Sequence, residues 1–305
     1  MAANGMSYSI LSFFSTAIEI INSVRVRSSD VFTFLTVSSI FVGATGFFQT
    51  FMGYILLGAT PNPLICMAVF LITFSTYSLN KLTDMAEDSI NVPERINFIY
   101  GRKQFILITA LGSYLLSIPL VFFAAPLAVP IVFVPILANL LYGSKLLPGI
   151  PRLKDIPVMK NVIVAISWAL VCTLLPSVEI SNVPMATILL VLYFMLVKVF
   201  INTILYDIRD VEGDRVAGVK TIPSLLNTPR TTMLLLVINS ALTAILAFIN
   251  QPIRSLLMAM ILYGYFCIIY FRKRRNPLIL DLFADGEWMF FSILYNLFRL
   301  KLLYF

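Results

Sequence analysis

Nine apolar stretches follow one another along the chain, each long enough to form a helix that crosses a lipid bilayer. A transmembrane helix needs about 20 predominantly apolar residues. Only 12% of the 305 residues are charged and 59% are apolar or aromatic, whereas soluble proteins contain about 25% charged residues. The sequence therefore predicts an all-α polytopic membrane protein, one integral-membrane domain over 1–305 in which 1–30 is a cytoplasmic or interfacial segment. The predicted spans are 31–58, 64–82, 104–124, 126–142, 158–177, 184–206, 232–250, 253–271 and 281–303.

The Lys and Arg residues lie mostly on one side of these predicted spans. Eighteen of the 22 fall in the N-terminal segment or in the connections after the second, fourth, sixth and eighth spans. The opposite side holds only Arg254, Arg299 and Lys301, and Lys198 lies inside the sixth span. The positive-inside rule then places the N-terminus and the long connections in the cytoplasm. We interpret the net charge of +7 as an orientation signal of a cell-membrane protein, not as a nucleic-acid surface.

Two features of the composition exclude common chemistries. The chain contains no histidine, so a histidine base or ligand is excluded. Its three cysteines, Cys66, Cys172 and Cys267, stand singly in apolar stretches. Without close cysteine spacing they predict neither a zinc site nor a disulfide framework, and we expect them to be packing residues.

Acidic residues concentrate in two short windows at the predicted cytoplasmic ends of the second and sixth spans. Eight of the 15 acidic residues lie in 80–94 and 206–215. Helical spacing of three and four residues places each set on one face: the first set is Asn80, Asp84 and Asp88, and the second is Asp207, Asp210 and Asp214.

Acidic side chains at this density need a positively charged partner. Carboxylates are costly within a membrane unless they face a cavity or a partner, and like charges four residues apart repel. Mg²⁺ prefers oxygen ligands and commonly joins carboxylates to substrate phosphates. Two facing windows could therefore hold two metal ions on a diphosphate. The alternative is two solvated acidic loops.

The two windows also align with each other. An offset of 126 residues aligns Asn80 with Tyr206, Asp84 with Asp210 and Asp88 with Asp214. This offset predicts two four-helix halves plus a ninth helix, arranged around a central cavity.

Cations near the windows are candidates to bind a diphosphate. Arg209, Arg215 and Lys220 belong to the second window or follow it, and Tyr142 and Lys145 end the fourth span. Lys145 could instead be a plain cytoplasmic anchor, and the role of Lys198 stays open.

At this point the sequence resembles the UbiA superfamily of intramembrane prenyltransferases. The resemblance rests on Asn80-x3-Asp84-x3-Asp88, on Asn91-x-Pro93-x-Arg95 and on the run from Tyr206 to Pro223. Tyr142-x2-Lys145 followed by Lys160-Asn161 is similar to the middle motif of that family.

The resemblance implies transfer of a polyprenyl group from a prenyl diphosphate to a lipophilic acceptor in the membrane. It implies two Mg²⁺ ions bound by Asn80, Asp84, Asp88, Asp210 and Asp214. It further implies that Asp207 is a metal-binding or acceptor-activating residue, and that the diphosphate is bound by Asn80, Tyr142, Lys145, Arg215 and Lys220.

Members of the superfamily that use 4-hydroxybenzoate carry an Arg shortly before the first motif. Residues 71–79 contain no basic residue, which argues against an aromatic carboxylate as acceptor. An aromatic or quinone precursor and a lipid precursor both stay open.

Two other functions agree less well with the sequence. A cation-coupled transporter would place its acids near the middle of the bilayer, not at one face. A CDP-alcohol phosphotransferase would continue Asp285-Gly286 with an Ala-Arg pair that is missing here.

Overall fold

The computed structural model describes residues 30–143, 156, 158–180, 182–216, 218–273 and 275–303. The chain divides into two compact units, Met1–Leu35 and Thr36–Phe305. The predicted N-terminal segment, 1–30, lies outside the described residues except for its last residue.

Every regular element in the described ranges is helical, as the composition predicts, and no β-strand occurs there. The α-helices are α1 (Asp30–Val37), α2 (Ile40–Leu56), α3 (Pro63–Thr83), α4 (Met85–Asn91), α5 (Pro93–Ile99), α6 (Lys103–Ala124), α7 (Val129–Val132), α8 (Val134–Gly143), α9 (Met159–Glu179), α10 (Met185–Val216), α11 (Ile222–Ala241), α12 (Ile253–Phe271), α13 (Pro277–Leu280) and α14 (Gly286–Leu303). Short 3₁₀ segments cover Pro126–Ala128 and Leu242–Ala247, and a π-helical turn covers Asp281–Asp285.

Six of the described helices are long and apolar enough to cross a membrane. They are α3, α6, α9, α10, α11 with its 3₁₀ extension, and α12. Ile40–Leu56 and Pro126–Leu140 are shorter apolar helices. The predicted count of nine spans stays a prediction.

Several predicted spans differ from the helices that form, among them the first and the seventh. The first, 31–58, is divided between α1 and α2, and Ser39 adopts a left-handed backbone with φ 69°. The seventh, 232–250, is preceded by helical residues that begin at Ile222 and are separated from it by a kink at Asn227, where φ is 63° and ψ is 163°. A capping box between Thr221 and Ser224, with a proline in the first turn, starts α11 in a polar stretch that hydropathy does not reveal.

The helices pack closely where small residues face a neighbour. Helix α3 packs against α2 and α6, and α9 packs against α10 and α2. A side chain at Gly46 would overlap Thr73, and one at Gly53 would overlap the Cys172 carbonyl. Small residues at such contacts let helices approach closely inside a membrane. The cysteines are free and buried, which confirms their expected packing role.

Lys198 forms a buried ion pair, which explains a cation inside an apolar helix. Its Nζ lies 2.6 Å from Glu287 Oε1 on α14, and the two side chains are 1% and 2% exposed. Nζ also donates to the Met260 carbonyl oxygen on α12 at 3.4 Å. The Lys198 ammonium group therefore connects α10, α12 and α14. An unpaired ion in lipid is costly, and these contacts remove that cost.

Removing one partner of the buried pair is expected to destabilise the protein strongly. Lys198→Met or Glu287→Met alone leaves an uncompensated buried charge and should lower the free energy of unfolding by about 3–5 kcal/mol. The double replacement should be close to wild type. The measurement is unfolding in detergent micelles, with Lys103→Met at the exposed start of α6 as control. A double variant as unstable as the single variants would contradict the pairing.

Candidate functional site

Both acidic windows line one cavity of about 270 Å³. Residues of α2 to α5 and of α8 to α10 line it, together with Thr36, Val219 and the π-helical turn. The acidic and amide side chains of the predicted site that line it are Asn80, Asp84, Asp88, Asp207, Asp210 and Asp214. Both windows therefore contribute side chains to the same cavity.

The first window lies across the junction of α3 and α4. Asp84 departs from helical geometry, with φ −100° and ψ 27°. The helical hydrogen-bond pattern nevertheless continues, because the Asp84 amide donates to the Asn80 carbonyl and the Asp88 amide to the Asp84 carbonyl, each at 2.9 Å. Asn139 Nδ2 on α8 donates to Asn80 Oδ1 at 2.8 Å. Asn80, Asp84 and Asp88 therefore keep their helical spacing, and α8 holds the Asn80 side chain in place.

The second window lies on the unbroken last turns of α10. Asp207 is 1% exposed and Asp214 is 5% exposed. Asn161 Nδ2 on α9 donates to Asp207 Oδ2 at 2.7 Å. This contact holds the carboxylate in place.

Basic side chains of the chain itself pair with these carboxylates. Arg95 Nη1 lies 2.9 Å from Asp88 Oδ1, and Lys160 Nζ lies 3.0 Å from Asp207 Oδ1 and 3.6 Å from Asp214 Oδ1. Arg95 and Lys160 thus connect α5 and α9 to the two windows.

Arg209 joins the second window to the π-helical turn. Its Nε lies 2.6 Å from Asp210 Oδ1, and its Nη1 lies 2.8 Å from Asp281 Oδ1. The guanidinium also lies over the Tyr206 ring, 4.7 Å from the centroid. Arg209 is therefore held on three sides.

Lys81 stabilises the break between α1 and α2 at Ser39, which hydropathy does not predict. Its Nζ donates to the carbonyl oxygens of Thr36 and Val37 and to Ser39 Oγ, each at 2.9 Å. The last carbonyls of a helix lack partners within the helix, so this buried cation satisfies the end of α1 at the cavity wall.

Two of the predicted diphosphate-binding residues do not line the cavity, and the side chains of two others are not described. Arg215 and Lys220 are exposed and are not among the residues that line the cavity. Lys145 lies outside the described residues. Tyr142 is in the last turn of α8, but its side chain is not described. The roles of all four stay predictions.

Two acids and one amide of this cavity are not predicted by the sequence. Asp281 and Asp285 line it from the π-helical turn, and Asn139 lines it from α8. Asp281 and Asp285 have the Asp-x3-Asp spacing that also occurs in the two windows. Hydropathy assigns 281–303 to a membrane span, and the sequence does not show that the start of this span packs against the second window.

The charge of the cavity favours a bound cation. Among the described lining residues, seven Asp side chains face Lys81, Arg95, Lys160 and Arg209. Asp214 Oδ2 is buried and accepts no hydrogen bond. Within the described part of the chain, no three acidic or cysteine side chains are already gathered as a metal cluster. Carboxylate and amide oxygens are nevertheless the ligands that Mg²⁺ prefers, so the donor set fits this ion.

The end of α4 contacts α10 directly and couples the two windows. Asn91 Oδ1 accepts from the Gly213 amide at 3.1 Å. A side chain at Gly213 would overlap the Asn91 amide group. Glycine is therefore required between Asp210 and Asp214.

Comparisons with known proteins agree with this geometry. The profile of the UbiA prenyltransferase family matches residues 32–294. Among curated proteins, no sequence matches the chain.

Three solved structures share the fold. The UbiA homolog from Archaeoglobus fulgidus bound to GPP and Mg²⁺ has a TM-score of 0.65 at 18% identity, over 86% of this chain and 97% of that one. A UbiA homolog from Archaeoglobus fulgidus bound to DMAPP and Mg²⁺ gives a TM-score of 0.58 at 17% identity, over 86% of this chain and 98% of that one. The apo UbiA homolog from Aeropyrum pernix K1 gives 0.63 at 13% identity, over 84% and 98%.

Gly213→Ala is expected to separate α4 from α10. The added methyl group overlaps Asn91, and overpacking of this kind costs about 1–3 kcal/mol. The melting temperature in detergent should fall. Adding Asn91→Ala to Gly213→Ala should restore part of the loss.

Gly112→Ala is the matched control, since no atom lies within 4 Å of a side chain built there. Equal effects of Gly112→Ala and Gly213→Ala would show that helix propensity, not the Asn91 contact, sets the result.

Proposed function

Because the chain belongs to the UbiA prenyltransferase family, we propose that it catalyses Mg²⁺-dependent transfer of a prenyl group from a prenyl diphosphate to a lipophilic acceptor within the membrane. The acceptor is an aromatic or quinone precursor or a lipid precursor. The observation that carries the proposal is the convergence of both acidic windows on one cavity.

The ligands of the structural neighbours support this donor class. One structure of a UbiA homolog from A. fulgidus is bound to GPP and Mg²⁺, and another structure of a UbiA homolog from that organism is bound to DMAPP and Mg²⁺. Both ligands are prenyl diphosphates. The excess of carboxylates in the present cavity agrees with a donor that arrives together with divalent cations.

In this proposal Asn80, Asp84, Asp88, Asp210 and Asp214 hold two Mg²⁺ ions. Bound Mg²⁺ stabilises the negative charge that develops on a departing diphosphate. Asp207 completes the acidic surface of the site, where it is already fixed by Asn161. The absence of histidine agrees with this chemistry, because a leaving group stabilised by metal needs no protonating imidazole.

We assign two roles to the basic side chains of the chain. Arg95, Lys160 and Arg209 pair with carboxylates inside the cavity, where they keep the acidic side chains in place. Arg215 and Lys220 are exposed after the second window, and we assign them with Lys145 and Tyr142 to binding of the diphosphate.

The apolar wall of the cavity excludes water from the reacting carbon. Ile163, Val164 and Trp168 on α9 face Phe41 and Val42 on α2. Ionisation of a prenyl diphosphate gives an allylic carbocation that water would otherwise capture, and a water-excluding site prevents this side reaction.

The proposed orientation places this cavity at the cytoplasmic face. Nine crossings in two four-helix halves plus one, with a cytoplasmic N-terminus, put the long connections and both acidic windows on that side.

Replacement of a window aspartate is expected to abolish transfer without unfolding the protein. Asp84→Ala or Asp210→Ala removes a proposed metal ligand, so Mg²⁺-dependent transfer of a labelled prenyl group in membranes should fall at least about 100-fold. Glu212→Ala is the matched control, because Glu212 lies in the same window but is exposed and does not line the cavity. Transfer at wild-type rates by either aspartate variant would overturn the metal assignment.

The orientation is tested by thiol labelling. Ile90→Cys and Lys220→Cys introduce exposed thiols beside the two windows, and Gln251→Cys introduces one before α12. The native cysteines are buried, so their background labelling should be low. An impermeant maleimide should label positions 90 and 220 only in inside-out vesicles and position 251 only in intact cells. Labelling of positions 90 and 220 from opposite sides would contradict the topology.

A further inference from the structure

Four consecutive basic residues, Arg272 to Arg275, follow the last turn of α12. They form the longest basic run of the sequence, since elsewhere no more than two Lys or Arg residues are adjacent. Arg272 and Lys273 are exposed, Arg275 is partly buried, and Arg274 lies outside the described residues. A basic run directly after a transmembrane helix is typical of a segment that lies among the headgroups of anionic lipids.

The chain does not neutralise these charges itself. Within the described residues, none of the side chains of Arg272, Lys273 and Arg275 forms a salt bridge. Asp281 is the next acidic residue along the chain, and its Oδ1 pairs with Arg209 Nη1 at 2.8 Å. The end of α12 therefore presents a positive charge that attracts an anion from outside the chain.

The Arg275 side chain is held on an aromatic ring. Its guanidinium carbon lies over the Tyr270 ring, 4.9 Å from the centroid, and such stacking restrains the planar guanidinium group. Its Nε is buried and has no hydrogen-bond partner. A buried donor without an acceptor carries a free-energy cost, and phosphate oxygens are acceptors that match the N–H groups of arginine. Arg275 is therefore positioned to bind a phosphate group.

An apolar surface continues from Tyr270 along α12. Tyr270 stacks on Phe266 with ring centroids 5.6 Å apart, and on Phe283 of the π-helical turn with centroids 6.1 Å apart. Phe266 and Phe283 are partly exposed, and Ile269 and Leu282 in the same two elements are 50% and 44% exposed. A basic group at the end of an apolar surface fits an amphipathic ligand that carries both a phosphate and hydrocarbon chains.

We propose that Arg272, Lys273 and Arg275 form a binding site for the headgroup of an anionic phospholipid, whose acyl chains lie along the apolar surface of α12 and the π-helical turn. The Arg275 guanidinium binds the phosphate, and the two exposed cations attract the negative charge of the lipid. None of the three residues lines the cavity that both acidic windows share. The inference is therefore independent of the proposed function.

Native mass spectrometry of the purified full-length protein, released from detergent micelles, measures the affinity for added lipid. Dioleoyl phosphatidylglycerol should bind at least about tenfold more tightly than dioleoyl phosphatidylcholine, because basic residues at the membrane surface attract anionic lipids. Lys273→Gln/Arg275→Gln should weaken phosphatidylglycerol binding at least about fivefold. Arg275→Lys keeps the charge but loses the planar N–H groups, so it should weaken binding at least about threefold. This single variant decides the result if the double variant does not fold.

Arg102→Gln/Lys103→Gln is the matched control, because it also removes one Arg and one Lys from exposed positions at the end of a membrane helix. Arg102 Nη1 already donates to the Phe98 carbonyl oxygen at 2.8 Å, so the chain itself provides an acceptor there. Binding of phosphatidylglycerol to this variant should stay within about twofold of wild type.

Inorganic phosphate distinguishes a lipid from a free anion. At millimolar concentration it should not displace phosphatidylglycerol, because it lacks the acyl chains that the apolar surface contacts. The proposal is overturned if the two phospholipids bind equally, if Arg275→Lys and the double variant bind phosphatidylglycerol like wild type, or if the control weakens binding as much as Lys273→Gln/Arg275→Gln. Displacement of the lipid by phosphate would also overturn it, because the site would then be one for free phosphate.

Discussion

The structure depends on placing seven aspartates around one cavity in an otherwise apolar protein. Carboxylates at this density repel each other and cannot face lipid. The chain offsets part of the charge with Lys160, Arg95 and Arg209, which reach the cavity from three different elements. Because the described basic side chains are fewer than the acidic ones, the same arrangement that stabilises the fold leaves room for bound cations.

Several features of the helices serve this arrangement. Gly213 allows α4 to approach α10, and Asn91 ties them together. Lys81 satisfies the end of α1 at the cavity wall. The buried Lys198–Glu287 pair connects α10 to α14. Contacts between helices, rather than the helices themselves, therefore determine where the acidic side chains lie.

The sequence predicted the features that depend on local pattern. Hydropathy found the apolar helices, and the four-residue spacing identified Asn80, Asp84 and Asp88 as one face. Hydropathy could not detect the break at Ser39, because Lys81, more than 40 residues away, satisfies the carbonyls there. The contribution of Asp281 also depends on tertiary packing, since Arg209 brings it to the second window. Arg215 and Lys220 are close to the second window in sequence, but Arg215 in the last turn of α10 and Lys220 in the connection after it are both exposed.

The central claim is that the two acidic windows bind a prenyl diphosphate through divalent cations. Equilibrium binding of radiolabelled geranyl diphosphate to the purified protein tests this claim most directly, once with millimolar Mg²⁺ and once with EDTA. The account predicts saturable binding with Mg²⁺ that falls at least about 100-fold with EDTA. Equal affinity under both conditions would contradict it, because the basic residues alone would then suffice.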